Sequence, residues 1–306
     1  MKILPRTDPS QYISLLLRLG LAHKNEGSRS LVNTLPYSNI LLYGDTVLKC
    51  FGASVCEPVT HVAWKSSSVV TLSNLKIFPD TQFKVSVAYV DDTIYVKTMT
   101  RYLYVLCEKP IDEIILLNRS WISVKHEKDR YLAYGFSIVI HGDRRVSLIS
   151  NKPLYIECRN RRLIEIEISS YDPIQLLISE KYSVIDLARK MLSIDNLLDV
   201  NGVSIVRAPL IEFLDTISIA FPYSIADNCI EYLVVNSSTR CRNAIVKVYG
   251  YIDSIEVNGI KVKNYRHSVI RLAMNGEERI HLKLCISTFT PYAYELRKKL
   301  DITGNE

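Results

Sequence analysis

Residues 231–286 read EYLVVNSSTRCRNAIVKVYGYIDSIEVNGIKVKNYRHSVIRLAMNGEERIHLKLCI. Apolar and polar residues alternate at Ile255 and Val257, at Ile260 and Val262, and again at Ile280, Leu282 and Leu284. That is the period of strands with one buried face. Asn258-Gly259 and Asn275-Gly276 lie between alternating runs. Asn-Gly accepts the positive φ at both central positions of a type I′ turn, so each pair predicts a hairpin. The stretch therefore predicts an antiparallel β-module with nothing chemically reactive in it.

Upstream, strand-like runs follow one another at short intervals. They cover Ile40 to Tyr43, Val47 to Phe51, His61 to Trp64, Val69 to Leu72, Phe83 to Tyr89 and Thr93 to Thr98. Further runs are Tyr102 to Leu106, Glu113 to Leu117, Trp121 to Val124, Tyr134 to Ile140, Val146 to Ile149, Leu154 to Cys158 and Leu163 to Ile168. Asp91-Asp92 and Gly142-Asp143 are turn signals between them. So many short strands with polar turns predict a large sandwich. Asp172-Pro173 opens a short helical or extended piece. Ser183 then caps a helix from Val184 to Leu192, with Asp186 at the capping-box position. Asn201-Gly202 predicts another hairpin turn.

The N-terminus begins differently. Thr7-Asp8-Pro9 is a helix start, an acidic cap followed by Pro. Ile13, Leu16, Leu17, Gly20 and Leu21 fall on one helical face. The helix is expected to end before Lys24-Asn25-Glu26-Gly27. From Ser30 the period switches to that of a strand, which Pro36 interrupts. Pro291 to Leu300 predicts a last short amphipathic helix.

The chain has 306 residues, 48% hydrophobic and 23% charged, with a formal net charge of +6. That is the composition of a globular protein long enough for two domains. The 38 Lys and Arg are spread along the chain, unlike the concentrated stripe of most nucleic-acid binders. No apolar run reaches the ~20 residues that span a bilayer, and no secretory signal is visible, so a cytoplasmic protein is expected. Three Gln in the whole chain hint at a thermophile, where thermolabile amides are depleted.

Seven cysteines, at positions 50, 56, 107, 158, 229, 241 and 285, include no Cys-x-x-Cys pair. Most sit in apolar runs, which favours buried reduced thiols; in a thermophile an intracellular disulfide stays open. His23, His61, His126, His141, His267 and His281 have no zinc-ligand spacing. Nucleophile elbow, phosphate loop and dinucleotide fingerprint are all missing from the sequence. Asp91-Asp92, Asp112-Glu113 and Glu277-Glu278 suit turns and surfaces. Arg159, Arg161 and Arg162, with Arg144-Arg145 nearby in sequence, form the densest basic cluster. They could hold a phosphate or an acidic partner, and more readily guard a strand edge. Tyr102 and Tyr104 project from one strand face with Leu106, as a stacking platform or as half-buried sheet residues. No residue is put forward as catalytic, cofactor-binding or metal-ligating, and no cofactor is expected.

Val32-Asn33-Thr34-Leu35-Pro36-Tyr37, following an amphipathic helix, resembles the strand by which family 38 α-mannosidases pass from their helical domain into their β-rich half. The arginine usual shortly afterwards is replaced by Ser38-Asn39. Tyr134 to Asp143 is similar to a strand and turn of that family. Leu163 to Ser169 occupies the place of a later strand but lacks its arginine. Glu231 to Ser238 is similar to the strand that opens the family's last sandwich. The motifs are collinear over nearly the whole chain.

This resemblance implies the C-terminal β-rich half of such an enzyme. The expected fold is mainly β: a mutarotase-like antiparallel supersandwich, then a smaller β-sandwich, with a short N-terminal helix. The implied division is 1–29 for helix and linker, 30–220 for the large sandwich with a helical insertion near 173–200, and 221–306 for the last module. The family's zinc-bearing catalytic domain normally lies N-terminal, and no residue here matches its ligands or nucleophile. The expected role is a non-catalytic, accessory or structural protein of α-mannoside-type carbohydrate processing. Its expected partners are a carbohydrate and a separate glycosidase subunit. Whether the chain is itself an enzyme is left open. The rival reading is a subunit of an RNA- or DNA-processing complex that uses the basic clusters.

Overall fold

The computed structural model describes residues 8–80, 83–125, 130–140, 144–168, 172–206, 209–262 and 269–288. The chain begins with α1 (Pro9–Arg18), β1 (Ala22–Asn33), β2 (Asn39–Tyr43), β3 (Thr46–Cys50) and β4 (Val55–His61). The next strands are β5 (Lys65–Ser67), β6 (Val70–Leu72), β7 (Leu75–Pro79), β8 (Val85–Val90), β9 (Thr93–Thr98) and β10 (Tyr102–Cys107). They continue through β11 (Ile111–Asn118), β12 (Ser123–Lys125), β13 (Arg130–Ile140), β14 (Arg144–Asn160), β15 (Leu163–Ile168) and β16 (Ile174–Ser179). Then come α2 (Val184–Asp195), β17 (Leu197–Ile205), β18 (Ile211–Phe213), β19 (Ser218–Ala226) and β20 (Cys229–Asn236). The last are β21 (Arg242–Val248), β22 (Tyr251–Val257), β23 (Ile260–Lys261), β24 (Val269–Met274) and β25 (Arg279–Thr288). The protein is mainly β and antiparallel with a short N-terminal helix, as expected.

The large sandwich is built around one long strand. The first half of β14 pairs with β16 and with the C-terminal half of β13, in a front layer that includes β9, β8, β5, β11 and β12. Its second half pairs with β15 and with the N-terminal part of β13, in a back layer that includes β10, β7 and β6. The register shifts between Ala133 and Gly135, where the strands bend from one layer to the other. A Cβ on Gly135 would lie 2.3 Å from the Leu148 carbonyl oxygen, so only glycine lets the two strands approach there. Inward residues of both layers, among them Ile94, Val96, Phe136, Leu154, Ile164 and Leu176, form one apolar core.

The outer face of the front layer is covered. Ala88, Val90, Tyr95, Ile149 and Leu177 join a second core with α1, α2 and residues of β18 to β25. The expected capping box on α2 is present: the Asp186 N–H donates to Ser183 Oγ at 3.2 Å, and the Ser183 N–H to Asp186 Oδ2 at 3.1 Å. α1 is capped by Asp8, whose carboxylate accepts from the Ser10 N–H at 2.9 Å. The Val32-Asn33-Thr34 stretch is a junction. Fully buried Asn33 donates to the Tyr37 and Gly52 carbonyls and accepts from the Leu35 N–H.

Several expectations are corrected. α1 ends before Lys24 as expected, at Arg18, but the strand starts earlier than Ser30: Lys24 to Gly27 already lie in β1. Asn201-Gly202 is not a hairpin turn but an interior step of β17, where Gly202 takes φ of 75°. Asn258-Gly259 does turn the β22–β23 hairpin, with φ of 52° and 79°. Asn275-Gly276 makes no hairpin, because β24 pairs with β21 while β25 pairs with β20 and β22 in another sheet. Gly276 is needed for close approach instead: a Cβ there would lie 2.1 Å from the Thr239 carbonyl oxygen. Of His61 to Trp64 only His61 is in a strand, whereas β4, β5 and β7 were not foreseen. The runs 146–149 and 154–158 are one strand, β14, and Asp172-Pro173 leads into strand β16. Pro291 to Leu300 and Gly142-Asp143 lie outside the described residues.

The cysteines also depart from the expectation of reduced thiols. Cys50–Cys56 and Cys229–Cys285 are disulfides, each joining directly opposed residues of neighbouring strands. Cys107, Cys158 and Cys241 are free. The sequence hid the pairs because cross-strand opposition depends on register, which spacing alone does not give. Among the described residues, no helix is long and apolar enough to cross a membrane.

Candidate functional site

The back layer leaves its outer face to solvent. Strict alternation sorts its residues: in β15, Ile164, Ile166 and Ile168 point into the core, while Leu163, Glu165 and Glu167 point out. In β10, Leu103, Val105 and Cys107 point in, and Tyr102, Tyr104 and Leu106 point out. Tyr104 lies opposite Phe78 on β7 and opposite Glu165 on β15. The Tyr104 and Phe78 rings stack with centroids 5.6 Å apart and planes 28° apart. Leu106, 43% exposed, continues the apolar strip.

Charged groups border these rings. Arg159 holds Glu165 through both carboxylate oxygens, at 3.2 and 3.1 Å, and reaches Glu157 at 2.6 Å. Arg101 and Arg130 bond Glu167 at 3.2 and 2.5 Å. The Arg130 guanidinium lies 4.7 Å over the Tyr155 ring, and that of Arg101 lies 5.4 Å over Tyr102. Partial burial, then the nearby Glu165 carboxylate, pushes the Tyr104 phenol up, so it stays a hydrogen-bond donor. The hydrogen bond from Arg159 to Glu165 pushes the guanidinium up as well. The result is a strip of half-buried, mutually stacked aromatic rings flanked by planar donors and acceptors. Such a face can stack on the apolar side of a sugar ring and bond its hydroxyls. It is not arranged as an acid–base pair, since one guanidinium engages both Glu157 and Glu165.

A second polar region, missed in the sequence, lies beside α2. Arg189 and Asp215 are both buried and pair at 3.1 Å, and the guanidinium also donates to the Ser218 carbonyl at 2.9 Å. Burial alone would raise the Asp215 carboxyl, but Arg189 and hydrogen bonds from Ser218 and Ile217 outweigh it and hold it below the ordinary 3.8. Lys190 bonds Asp91 at 3.2 Å and Thr93 at 3.1 Å and lies 4.1 Å over the Tyr182 ring. Burial lowers the Lys190 amine despite these partners. A cavity of about 410 Å³ reaches this seam between Ser38, Asp186, Lys190 and Glu212. Arg189 and Lys190 each hold a carboxylate, and Asp186 and Glu212 accept from Ser183, Ser38 and Tyr249, so the seam fastens α2. The available signal was Arg189-Lys190 inside an otherwise apolar helical run.

The remaining candidates are dispersed. Asp92 pairs with Lys181 at 2.6 Å, Glu113 with Lys125 at 3.3 Å, and Glu278 accepts from the Asn275 N–H. His61 lies 3.3 Å from the Thr46 hydroxyl, and His281 lies 3.0 Å from that of Tyr223. His126, His141 and His267 lie outside the described residues. Among the described residues no group of three or more His, Cys, Asp or Glu is placed to hold a metal ion. The arginines lie at strand ends: Arg144 and Arg145 pair with β13 alone, ahead of the β14–β16 pairing, and Arg161 and Arg162 form the β14–β15 turn.

Fold and face together define a class, an antiparallel β-sandwich protein with one covered and one open outer surface. No family model and no curated sequence matches the chain. Among solved structures it is similar to a glycosyl hydrolase family 38 protein from Enterococcus faecalis, 7% identical over 86% of this chain and 45% of that one, with a TM-score of 0.46. It is also similar to a family 81 glycoside hydrolase from Clostridium thermocellum, 8% identical over 87% and 38%, with a TM-score of 0.20. The chain spans less than half the length of either protein. At these values neither likeness extends to function.

Proposed function

We propose that the protein is a non-catalytic, glycoside-hydrolase-like β-sandwich that serves carbohydrate processing of the α-mannoside type as an accessory or structural subunit. The observation that carries this reading is the half-buried, outward-facing Phe78–Tyr104 stack with its border of Glu157, Arg159, Glu165 and Glu167. Sugar-binding faces combine an aromatic plane with planar hydrogen-bonding groups, and all of these sit on rigid strands. The collinear sequence motifs support the same reading. A separately encoded glycosidase is the partner that fits it. Low glutamine content and two disulfides fit a cytoplasmic protein of a thermophile, where intracellular disulfides occur.

Affinity electrophoresis through neutral α-mannan tests the proposal. Retardation of the wild-type protein, abolished in Phe78→Ala and Tyr104→Ala variants that keep their thermal midpoint, is the expected result. Free migration of the wild type in α-mannan and in every other glycan tried, neutral or anionic, would sink it.

A further inference from the structure

One rim of the large sandwich collects basic residues from three separate parts of the chain. The Cys107 N–H donates to the Arg162 carbonyl at 2.8 Å, and the Ile111 N–H to the Arg161 carbonyl at 2.7 Å. This places Lys109, on the connection between β10 and β11, against the β14–β15 turn. Ile111 lies opposite Ile140, which lies opposite Arg144 at the start of β14. Arg144 donates to the Asn74 side chain at 3.2 Å, and the Glu108 N–H donates to the Asn74 carbonyl at 2.9 Å. Lys76 on β7 stands opposite Leu106.

Lys76, Lys109, Arg144, Arg161 and Arg162 are therefore gathered at one end, with Arg145 beside them on the opposite face of β14, and all six are exposed. None of them forms an ion pair among the described residues. Glu108 and Asp112 are the acidic residues described on the same connections, and Glu180 adjoins them through Ser73. This contrasts with the adjoining open face, where Arg101, Arg130 and Arg159 each hold a glutamate. The rim continues the aromatic strip directly, through Lys76, Leu106 and the β14–β15 turn.

We propose that this rim receives anionic substituents of a glycan laid along the open face, so that the preferred ligand is an acidic rather than a neutral polysaccharide. The inference rests on the carbohydrate reading above and adds the chemistry of the ligand. Four of the six cations are arginines, whose planar forks match phosphate and carboxylate groups in two-point bonds. Excess like charge on a water-facing rim also costs self-repulsion that an anionic partner relieves.

The test compares neutral α-mannan, phosphorylated mannan, polygalacturonate and a short RNA or DNA duplex by titration at low salt. The wild type and the Arg144→Gln, Arg145→Gln, Arg161→Gln, Arg162→Gln quadruple variant are run side by side. An Arg161→Gln, Arg162→Gln double variant serves if the quadruple one does not fold. Charge-assisted bonds predict roughly tenfold tighter binding of an anionic glycan than of neutral mannan. The variants should lose that preference and keep neutral mannan binding. Phosphomannan and polygalacturonate distinguish phosphate from carboxylate as the favoured anion. Equal affinity for neutral and anionic glycans, or a preference that survives the substitutions, overturns the inference and leaves the carbohydrate reading standing. Tighter binding of the duplex than of any glycan overturns it in favour of nucleic acid. Binding of neither neutral nor anionic glycan removes both readings.

Discussion

The front and back layers of the large sandwich share one apolar core but differ on their outer sides. On the front, β16 reads Ile-Gln-Leu-Leu-Ile-Ser, nearly all of it buried, because Leu177 faces a second core under α2. On the back, β15 reads Leu-Ile-Glu-Ile-Glu-Ile, half in and half out. Both faces carry arginine–carboxylate pairs. Arg189–Asp215 is buried between α2 and the β18–β19 connection, whereas Arg159–Glu165 lies at the open face with Arg159 half exposed. The same pair of groups is a buried fastener in one place and a partly hydrated surface pair in the other. A buried charge without its partner is severely penalised, and an exposed one is hydrated.

The sharpest way to break this contrast is at the seam. Arg189→Ala leaves Asp215 buried and unpaired and is expected to cost about 3–5 kcal/mol in urea unfolding. A loss under about 1 kcal/mol would mean the seam is wetter than described. Leu177→Ala should follow, at about 2–5 kcal/mol, because it empties a fully buried site in the second core. Leu106→Ala on the open face should cost far less in the same experiment.

Acid titration separates the layers next. The folded Asp215 carboxyl is depressed, so its contribution is complete above the unfolded value near 3.8 and is lost as pH falls through the lower folded value. Wild type should lose stability below about pH 4 more steeply than Asp215→Asn, which starts less stable at neutral pH. Parallel curves would remove Asp215 from the account. The smallest stability effect belongs to Tyr104→Ala, within about 1 kcal/mol by thermal melting. A larger loss would show that the Phe78 stack is a structural contact rather than a free surface.

Much of this was legible in the sequence, and the limits have physical causes. Alternation in β10 and β15 correctly set Tyr102, Tyr104 and Leu106 on one face, because a half-buried strand writes its orientation every second residue. Ser183 and Asp186 announced α2 for the same local reason. The open face as a site was hidden, since Phe78, Glu157 and Glu165 join it only through register between distant strands. The disulfides and the gathering of Arg144 with Arg161 and Arg162 failed to show on the same ground. Asn275-Gly276 misled because turn chemistry predicts a local reversal, not which sheet the next strand enters.

That turn has a consequence for how the molecule is assembled. β25 lies in the centre of its five-stranded sheet, between β20 and β22, although it is the C-terminal-most described strand. The β19–β20 and β22–β23 hairpins can close early on the ribosome, but each then keeps a bare edge. Only when residues 279–288 emerge can the sheet be zipped shut and Cys285 reach Cys229. The module is thus completed by non-local pairing, the slow kind, and two unjoined hairpins must stay apart from other chains while synthesis continues.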